Sequence, residues 1–104
     1  MAKLGLENLS ESMFYVLMAL RKANRCGTEI AEFVSVKTKQ RVNIGPGTLY
    51  TILSKFEKEH LIEEVEIEGR KRTYQISEKG LKYFCNEYDR LKKLVEDASC
   101  EGEL

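Results

Sequence analysis

The chain has 104 residues, and its 17 basic and 17 acidic side chains leave no formal net charge. This length supports one compact domain, and an apolar content of 42% suits a globular protein. No apolar run approaches the roughly 18 residues of a membrane span, and the N-terminus lacks a signal-peptide pattern. The three cysteines form no disulfide framework and no metal motif. We therefore expect a cytoplasmic protein without a cofactor, a metal ion or membrane contact.

The first part of the chain predicts two helices. Ser10 is a suitable N-cap for the first helix, which we expect to run until Gly27 stops it. Thr28 is a suitable cap for a second, shorter helix. Residues 37–43 are polar and are expected to form a loop.

A third helix is expected from about Pro46 to Glu59, because proline is tolerated in the first turn and apolar residues recur on one face. His60 should follow it in a left-handed conformation. The chain between Phe33 and Phe56 has four basic residues and no acidic one, so its potential is locally positive. The outer face of the helix carries the candidate contacts to a DNA major groove: Thr48, Tyr50, Thr51, Ser54, Lys55 and Lys58. The alternative is a polar face that only meets solvent.

The alternation of apolar and polar residues from Leu61 to Ile76 predicts a β-hairpin. Its arms are acidic, but its tip carries Arg70, Lys71 and Arg72 in succession. Cations of this kind pair with phosphate oxygens and fit a narrow minor groove. They can also pair with the glutamates across the strands, and the two interpretations are compatible.

Ser77 is expected to cap a last helix from Glu78 to Ala98, and its apolar residues recur at alternating spacings of three and four. We interpret this heptad pattern as a dimerisation seam formed by Leu81, Phe84, Tyr88, Leu91 and Val95. The alternative is that the helix folds back on its own domain. A dimer would place two third helices at a fixed spacing and would favour a two-fold symmetric operator on double-stranded DNA.

The predicted fold is mainly α with a small β-hairpin. It comprises a winged helix-turn-helix DNA-binding domain over residues 1–77 and a coiled-coil-like dimerisation helix with a tail over 78–104. No catalytic set or phosphate-binding loop is present, so an enzyme is not expected. Cys26 lies near basic residues and is a weak candidate for a reactive thiol, whereas Cys85 is expected to be buried beside the seam. A protein-interaction module remains the alternative to a DNA-binding regulator.

One combination of residues is specific enough to indicate a family. It comprises Gly47-Thr48-Leu49-Tyr50, Leu53, Phe56-Glu57, Leu61-Ile62, Tyr74, Ser77 and Gly80. From about Leu9 to Val95 the chain resembles the PadR family of bacterial transcriptional regulators. Thr51, Phe56 and His60 stand where the family usually has proline, leucine and glycine.

The resemblance implies a winged helix-turn-helix homodimer that represses its target promoter. The single C-terminal helix resembles the short subgroup, in which that helix forms the dimer. A small aromatic or cationic molecule is also implied as an inducer, bound between the C-terminal helices and sometimes contacted by tryptophan. This chain has no tryptophan. Its remaining aromatic candidates for such a site are Phe14, Tyr15, Phe84 and Tyr88.

Overall fold

The computed structural model describes residues 8–101, which form four helices and a three-stranded antiparallel sheet. In chain order the elements are α1 (Glu11–Leu20), β1 (Arg25–Cys26), α2 (Gly27–Lys37), α3 (Pro46–Lys58), β2 (Ile62–Glu68), β3 (Lys71–Ile76) and α4 (Glu78–Cys100). The sheet order is β1-β3-β2. This arrangement confirms the predicted winged helix-turn-helix fold. Residues 1–7 of the predicted DNA-binding domain and 102–104 of the predicted tail lie outside the described residues.

The first helix begins as expected, because the Ser10 hydroxyl accepts a hydrogen bond from the Met13 N–H at 3.2 Å. The prediction that it continues to Gly27 was wrong, since α1 ends at Leu20. The segment that follows contains β1, which pairs with β3 far along the chain. A strand of two residues has no periodicity of its own, so only its distant partner defines it.

The cap of the second helix also differs from the expectation. Its N-cap is Cys26 and not Thr28. The Glu29 carboxylate accepts the Cys26 N–H at 2.8 Å, a bond that holds the pKa of Glu29 below its ordinary value. Because β1 leads directly into α2, this bond also ties the start of the helix to the sheet.

The turn between α2 and α3 contains two consecutive left-handed residues, Lys39 and Gln40, with φ of 52° and 64°. The next residue, Arg41, donates hydrogen bonds to the Glu11 carboxylate at 3.0 Å and to the Tyr15 hydroxyl at 2.8 Å. These bonds raise the pKa of the Arg41 guanidinium, with Glu11 as the larger cause. The turn is therefore attached to α1.

The hydrophobic core lies between α1, α2 and α3 and is closed by residues from the sheet and α4. Its largest fully buried side chains are Phe56, Leu17, Leu20, Ile30, Leu61, Val16 and Val34. Phe56 is fully buried, although the family pattern commonly has the smaller leucine at this position. Burial of each such side chain stabilises the folded state by about 1.5–3 kcal/mol. The core therefore holds α3 in a fixed orientation.

The connections on either side of the hairpin are tight. His60 has φ of 62°, which confirms the expected left-handed end of α3. Ser77 caps α4 as predicted, and its hydroxyl accepts the Gly80 N–H at 3.0 Å. A Cβ at Gly80 would collide with the Leu61 carbonyl oxygen, so only glycine lets α4 approach the start of β2 this closely.

The last helix is buried in its first half and exposed in its second half. Phe84 is buried and stacks on Phe14 with ring centroids 4.7 Å apart. From residue 92 to the end of α4 every side chain is exposed. Cys85 is also exposed, so the expectation that it is buried was wrong: the thiol follows Phe84 but lies on a different side of the helix.

Candidate nucleic-acid interface

The outer face of α3 presents the polar side chains that the sequence predicts. The six residues are all exposed: Thr48, Tyr50, Thr51, Ser54, Lys55 and Lys58. The inner face buries Leu49, Ile52 and Leu53 in the core, which holds the helix in a fixed orientation. A short hydroxyl or a lysine on such a face can reach base edges or phosphates.

The two lysines of this face lie in the last turns of α3. Neither Lys55 nor Lys58 forms an ion pair within residues 8–101, although Glu57 lies between them. Glu57 is half-buried, and its charge contributes to raising the pKa of the Tyr74 phenol. Both ammonium groups are therefore available to an external anion.

Tyr50 and Thr51 differ in how they are held. Tyr50 is 72% exposed, so its ring does not pack beneath the helix. The Thr51 hydroxyl donates to the Gly47 carbonyl at 3.1 Å, which restrains its rotamer within the first turns of α3.

The wing consists of β2, β3 and the turn between them. Gly69 has φ of 63°, and the strands pair from Ile62 opposite Ile76 to Glu68 opposite Lys71. The register shifts between Glu64 and Glu66, which indicates a β-bulge at the edge strand. A bulge increases local twist, and edge strands with bulges and charges resist pairing with other chains.

The three cations of the wing tip are all exposed but not equivalent. Arg72 lies in β3 and its Nε is 3.5 Å from the Glu64 carboxylate of β2. Lys71 is close enough to Glu29 of α2 to contribute to lowering the pKa of that carboxylate. Arg70 lies in the turn and forms no ion pair among residues 8–101. The cross-strand pairing expected as the alternative thus applies to Arg72, and Arg70 is the least restrained of the three.

A groove of about 760 Å³ separates α3 from the wing. The wing-tip cations Arg70, Lys71 and Arg72 lie on one side of it and Tyr50 lies on the other. Its floor is apolar and includes Leu49, Leu53 and Tyr74. Burial is the main cause of the raised pKa of Tyr74, which therefore stays neutral at physiological pH. The other five predicted residues of α3 do not line this groove.

The groove also contains residues that the sequence interpretation did not assign to it. Gly27, Thr28 and Glu29 line it at the start of α2. The sequence predicts Thr28 only as a helix cap and does not indicate that these residues border the wing. Their place beside the wing depends on the pairing of β1 with β3, which no local pattern indicates.

The candidate residues for a small-molecule site fall into two groups. Phe14, Phe84 and Tyr88 line a second cavity of about 660 Å³ between α1, α2 and α4. Tyr15 does not line it, because its hydroxyl is held by Arg41 at the α2–α3 turn. The structure therefore does not bring Tyr15 together with the other three.

The described part of the chain has neither a candidate metal site nor a candidate membrane-spanning helix. Residues 8–101 contain no cluster of three or more His, Cys, Asp or Glu side chains suited to a metal ion. Within the same range, no helix has both the length and the apolar character needed to cross a membrane.

The architecture defines a winged helix-turn-helix protein with an exposed polar α3, and comparisons with known proteins identify the family. The Transcriptional regulator PadR-like family matches residues 16–86, more than half of the chain. The chain therefore belongs to the PadR-like family of transcriptional regulators, as its motifs predicted, and it is a regulator and not an enzyme. Comparison with curated proteins gives no match.

Solved structures agree with this assignment. A transcriptional regulator from Clostridium thermocellum, Cth-833, is 27% identical, with a TM-score of 0.70 over 86% of this chain and 96% of that chain. A PadR family transcription regulator from Clostridium difficile R20291 is 16% identical, with a TM-score of 0.70 over 88% and 97% of the two chains. A PadR-like transcription factor from Bacteroides fragilis is 18% identical, with a TM-score of 0.73 over 86% and 88%. The last two likenesses concern the fold alone.

Proposed function

We propose that this regulator is a cytoplasmic homodimer that binds specific DNA sequences and represses transcription. Residues 1–77 form its DNA-binding domain and residues 78–104 its dimerisation helix and tail. In this proposal α3 enters the major groove and the wing tip contacts the backbone or the adjacent minor groove. The observation that carries the proposal is the exposed outer face of α3 beside a groove bordered by three cations. The two lysines of that face form no ion pair within residues 8–101.

Local charge explains how a neutral chain can bind a polyanion. The only acidic residue of α3, Glu57, is half-buried, whereas the six predicted contact residues are exposed and include no carboxylate. Phosphate contacts supply most of the sequence-independent affinity of a DNA-binding protein, while the hydroxyls of α3 are suited to base edges. The two-fold symmetric operator follows from the proposed dimer, because a two-fold protein presents two identical helices.

The cavity beside Phe14, Phe84 and Tyr88 is where a small aromatic inducer would enter. Four cations line it, namely Arg21, Lys22, Arg25 and Lys37, and no carboxylate does. This charge disfavours the cationic inducer that the family resemblance allowed and favours a neutral or anionic aromatic one.

The first prediction tests DNA binding by α3. Operator fragments are recovered with the purified protein from fragmented genomic DNA and then used as labelled duplexes. The double variant Lys55→Ala/Lys58→Ala should bind them at least about 10-fold more weakly. The slope of log affinity against log salt should become less steep by about two units per copy, or about four for the dimer, because each copy loses two phosphate contacts. Fluorescence anisotropy across a salt series measures both.

The matched control is Lys79→Ala/Lys82→Ala, which removes the same charge from two exposed lysines of α4. It should leave the affinity and the salt slope unchanged. Equal effects of the two double variants would show that only net charge matters and would contradict the assignment of α3. Recovery of no specific fragment by the wild-type protein would favour a protein-interaction module.

A further inference from the structure

The groove between α3 and the wing has an aliphatic floor. Its apolar side chains come from α2, from the segment before α3 and from α3 itself, namely Ala31, Ile44, Pro46, Leu49 and Leu53. Ile44, Leu49 and Leu53 belong to the hydrophobic core, yet each keeps between 5% and 8% of its surface exposed. The floor is therefore a place where the core reaches the surface beside α3.

One wall of the groove is positively charged. All three cations of the wing tip lie along it, namely Arg70, Lys71 and Arg72. Among the described residues, Glu29 is the only carboxylate that lines the groove. The Arg72 guanidinium pairs with Glu64, which does not line it, and Arg70 forms no ion pair within residues 8–101. Cations thus outnumber acids around the groove, and the charge favours an anion.

The polar groups near the floor already have partners or stay neutral. The Thr28 hydroxyl lies 3.2 Å from the Cys26 Sγ, and the Glu29 carboxylate accepts the Cys26 N–H at 2.8 Å. Burial keeps the Tyr74 phenol neutral. A nucleobase or a sugar loses free energy when its polar edge is buried without hydrogen-bond partners. The floor is therefore better suited to a plain hydrocarbon body.

A strand of DNA alone does not account for both features of the groove. A phosphodiester pairs with the cations of the wing tip, but it gains nothing from an aliphatic surface. Small-molecule sites typically have volumes of roughly 300–1,000 Å³, an apolar lining and a few charged groups that fix the orientation of the ligand. The groove, at about 760 Å³, has this character.

We propose that the groove binds a medium-chain fatty acid, with the acyl chain on the floor and the carboxylate beside Arg70 and Lys71. The bound acid lies between Tyr50 and the wing tip, so it competes with operator DNA for one surface. This competition rests on the proposed DNA binding, whereas the ligand site itself does not. The site is separate from the cavity beside Phe14, Phe84 and Tyr88, because the two linings share no residue.

The first experiment measures ligand binding to the full-length wild-type protein without DNA. Sodium decanoate is titrated in calorimetry and in two-dimensional amide NMR. We expect saturable binding, with the largest shifts at the amides of residues 27–31, 49–53 and 70–74. Decyltrimethylammonium carries the same chain with the opposite charge and should bind at least about 10-fold more weakly. Absence of binding, equal affinity for the two probes, or shifts centred on the second cavity would each overturn the proposal.

A variant that fills the floor tests the position of the acyl chain. A Cβ at Gly27 would make an ordinary contact with the Leu49 Cδ2 at 3.7 Å, so a larger side chain has room at its base and extends into the groove. Gly27→Leu should weaken decanoate binding at least about 10-fold without changing any charge. The control Ala23→Leu adds a similar volume at an exposed position outside the groove and should leave binding unchanged. Unchanged binding by a Gly27→Leu protein that circular dichroism shows to be folded would overturn the proposal.

A second pair of variants tests the position of the carboxylate. Arg70→Ser/Lys71→Ser should weaken decanoate binding at least about 10-fold, because it removes the two cations assigned to the carboxylate. The control Lys79→Ser/Lys82→Ser removes the same charge from α4 and should have no effect. Equal losses in the two double variants would reflect net charge alone and would overturn the assignment.

The last experiment tests competition with DNA. On a labelled operator duplex, the apparent dissociation constant of the wild-type protein should rise in proportion to the decanoate concentration, and that of Gly27→Leu should not. A complex that holds decanoate and operator together at unchanged DNA affinity would overturn the competition. If the protein binds no specific DNA fragment, the proposed function fails, while calorimetry and NMR still decide the ligand site.

Discussion

At the scale of single residues, Glu87 joins two parts of the chain that are far apart in sequence. It is the one buried charged side chain of the described residues, at 5% exposure. Its carboxylate accepts the Leu9 N–H at 3.0 Å and two hydrogen bonds from Arg90, at 2.9 and 2.7 Å. The segment that precedes α1 is thereby attached to α4. No local pattern indicates this role, because a glutamate on a charged helix has the pattern of a solvent-exposed residue.

These contacts predict how the stability of the protein depends on pH. The pKa of Glu87 lies below its usual 4.5, chiefly because of Arg90 and also because of the Leu9 N–H. A carboxyl with a lowered pKa in the folded state stabilises the protein fully above the unfolded-state pKa, and this contribution is lost as the pH falls through the folded-state pKa. At neutral pH Glu87→Gln should lower the free energy of unfolding by about 1–2 kcal/mol. Urea titrations between pH 7 and pH 3 should show this difference disappearing below pH 4.5.

The control for this prediction is Glu63→Gln, since Glu63 is an exposed carboxylate of β2. Its effect should be small at every pH. A loss of stability in Glu87→Gln that persists unchanged at pH 3 would show that shape and not charge matters at this position.

At the scale of elements, the cations of the wing differ in role: one forms an ion pair within the wing and another is available to bind DNA. Arg72 pairs with Glu64 across the strands, and one oxygen of Glu64 is buried without a hydrogen bond within residues 8–101. Removal of Arg72 would leave that carboxylate without its counter-ion. Arg70 lies in the turn and has no such partner among the described residues. The sequence predicted the hairpin and its basic tip but could not separate these roles, because pairing depends on the register and its bulge.

This division predicts different consequences for two matched substitutions. Arg70→Ser should weaken operator binding about 10-fold at most sequences alike and leave the unfolding midpoint unchanged, because a phosphate contact is lost. Arg72→Ser should also lower the unfolding midpoint, because it leaves Glu64 unpaired. Anisotropy measures the first effect and urea denaturation the second. Identical behaviour of the two variants in both measurements would contradict the division.

At the scale of the whole molecule, α4 belongs partly to the core and partly to a surface. Phe84, one of the predicted seam residues, stacks on Phe14 of its own chain, as the fold-back alternative allowed. Leu81, Tyr88 and Val95 remain exposed and Leu91 is half-buried. The second half of α4 has no partner within the described chain, so it is available to a second copy. The proposed dimerisation seam therefore consists of the residues of α4 that remain accessible.

The two halves should respond differently to substitution. Val95→Glu should weaken dimerisation at least about 10-fold in sedimentation equilibrium, because it places a charge in the seam. It should leave monomer stability unchanged, since Val95 is 65% exposed. Phe84→Ala should instead lower the free energy of unfolding by about 3–5 kcal/mol, the usual cost of truncating a buried phenylalanine. A dimer unaffected by Val95→Glu would exclude this residue from the seam.

Local patterns in the sequence determined much of this protein. Apolar periodicity defined α3 and α4, Ser10 and Ser77 marked helix starts, and alternation with a glycine turn defined the wing. These features depend on neighbours within a few residues, so the sequence displays them directly. The combined motif also determined the family, which comparison with known proteins confirmed.

Only the tertiary structure decided the features that depend on contacts distant in sequence. Pairing with β3 defines β1, and Cys26, the last residue of that strand, is the N-cap of α2. Phe84 is buried because it packs on Phe14 of α1. Tyr15 lies apart from the aromatic cavity because its hydroxyl accepts a hydrogen bond from Arg41. The pairing of β1, the burial of Phe84 and the place of Tyr15 each depend on a partner at least 26 positions away, which no local pattern indicates.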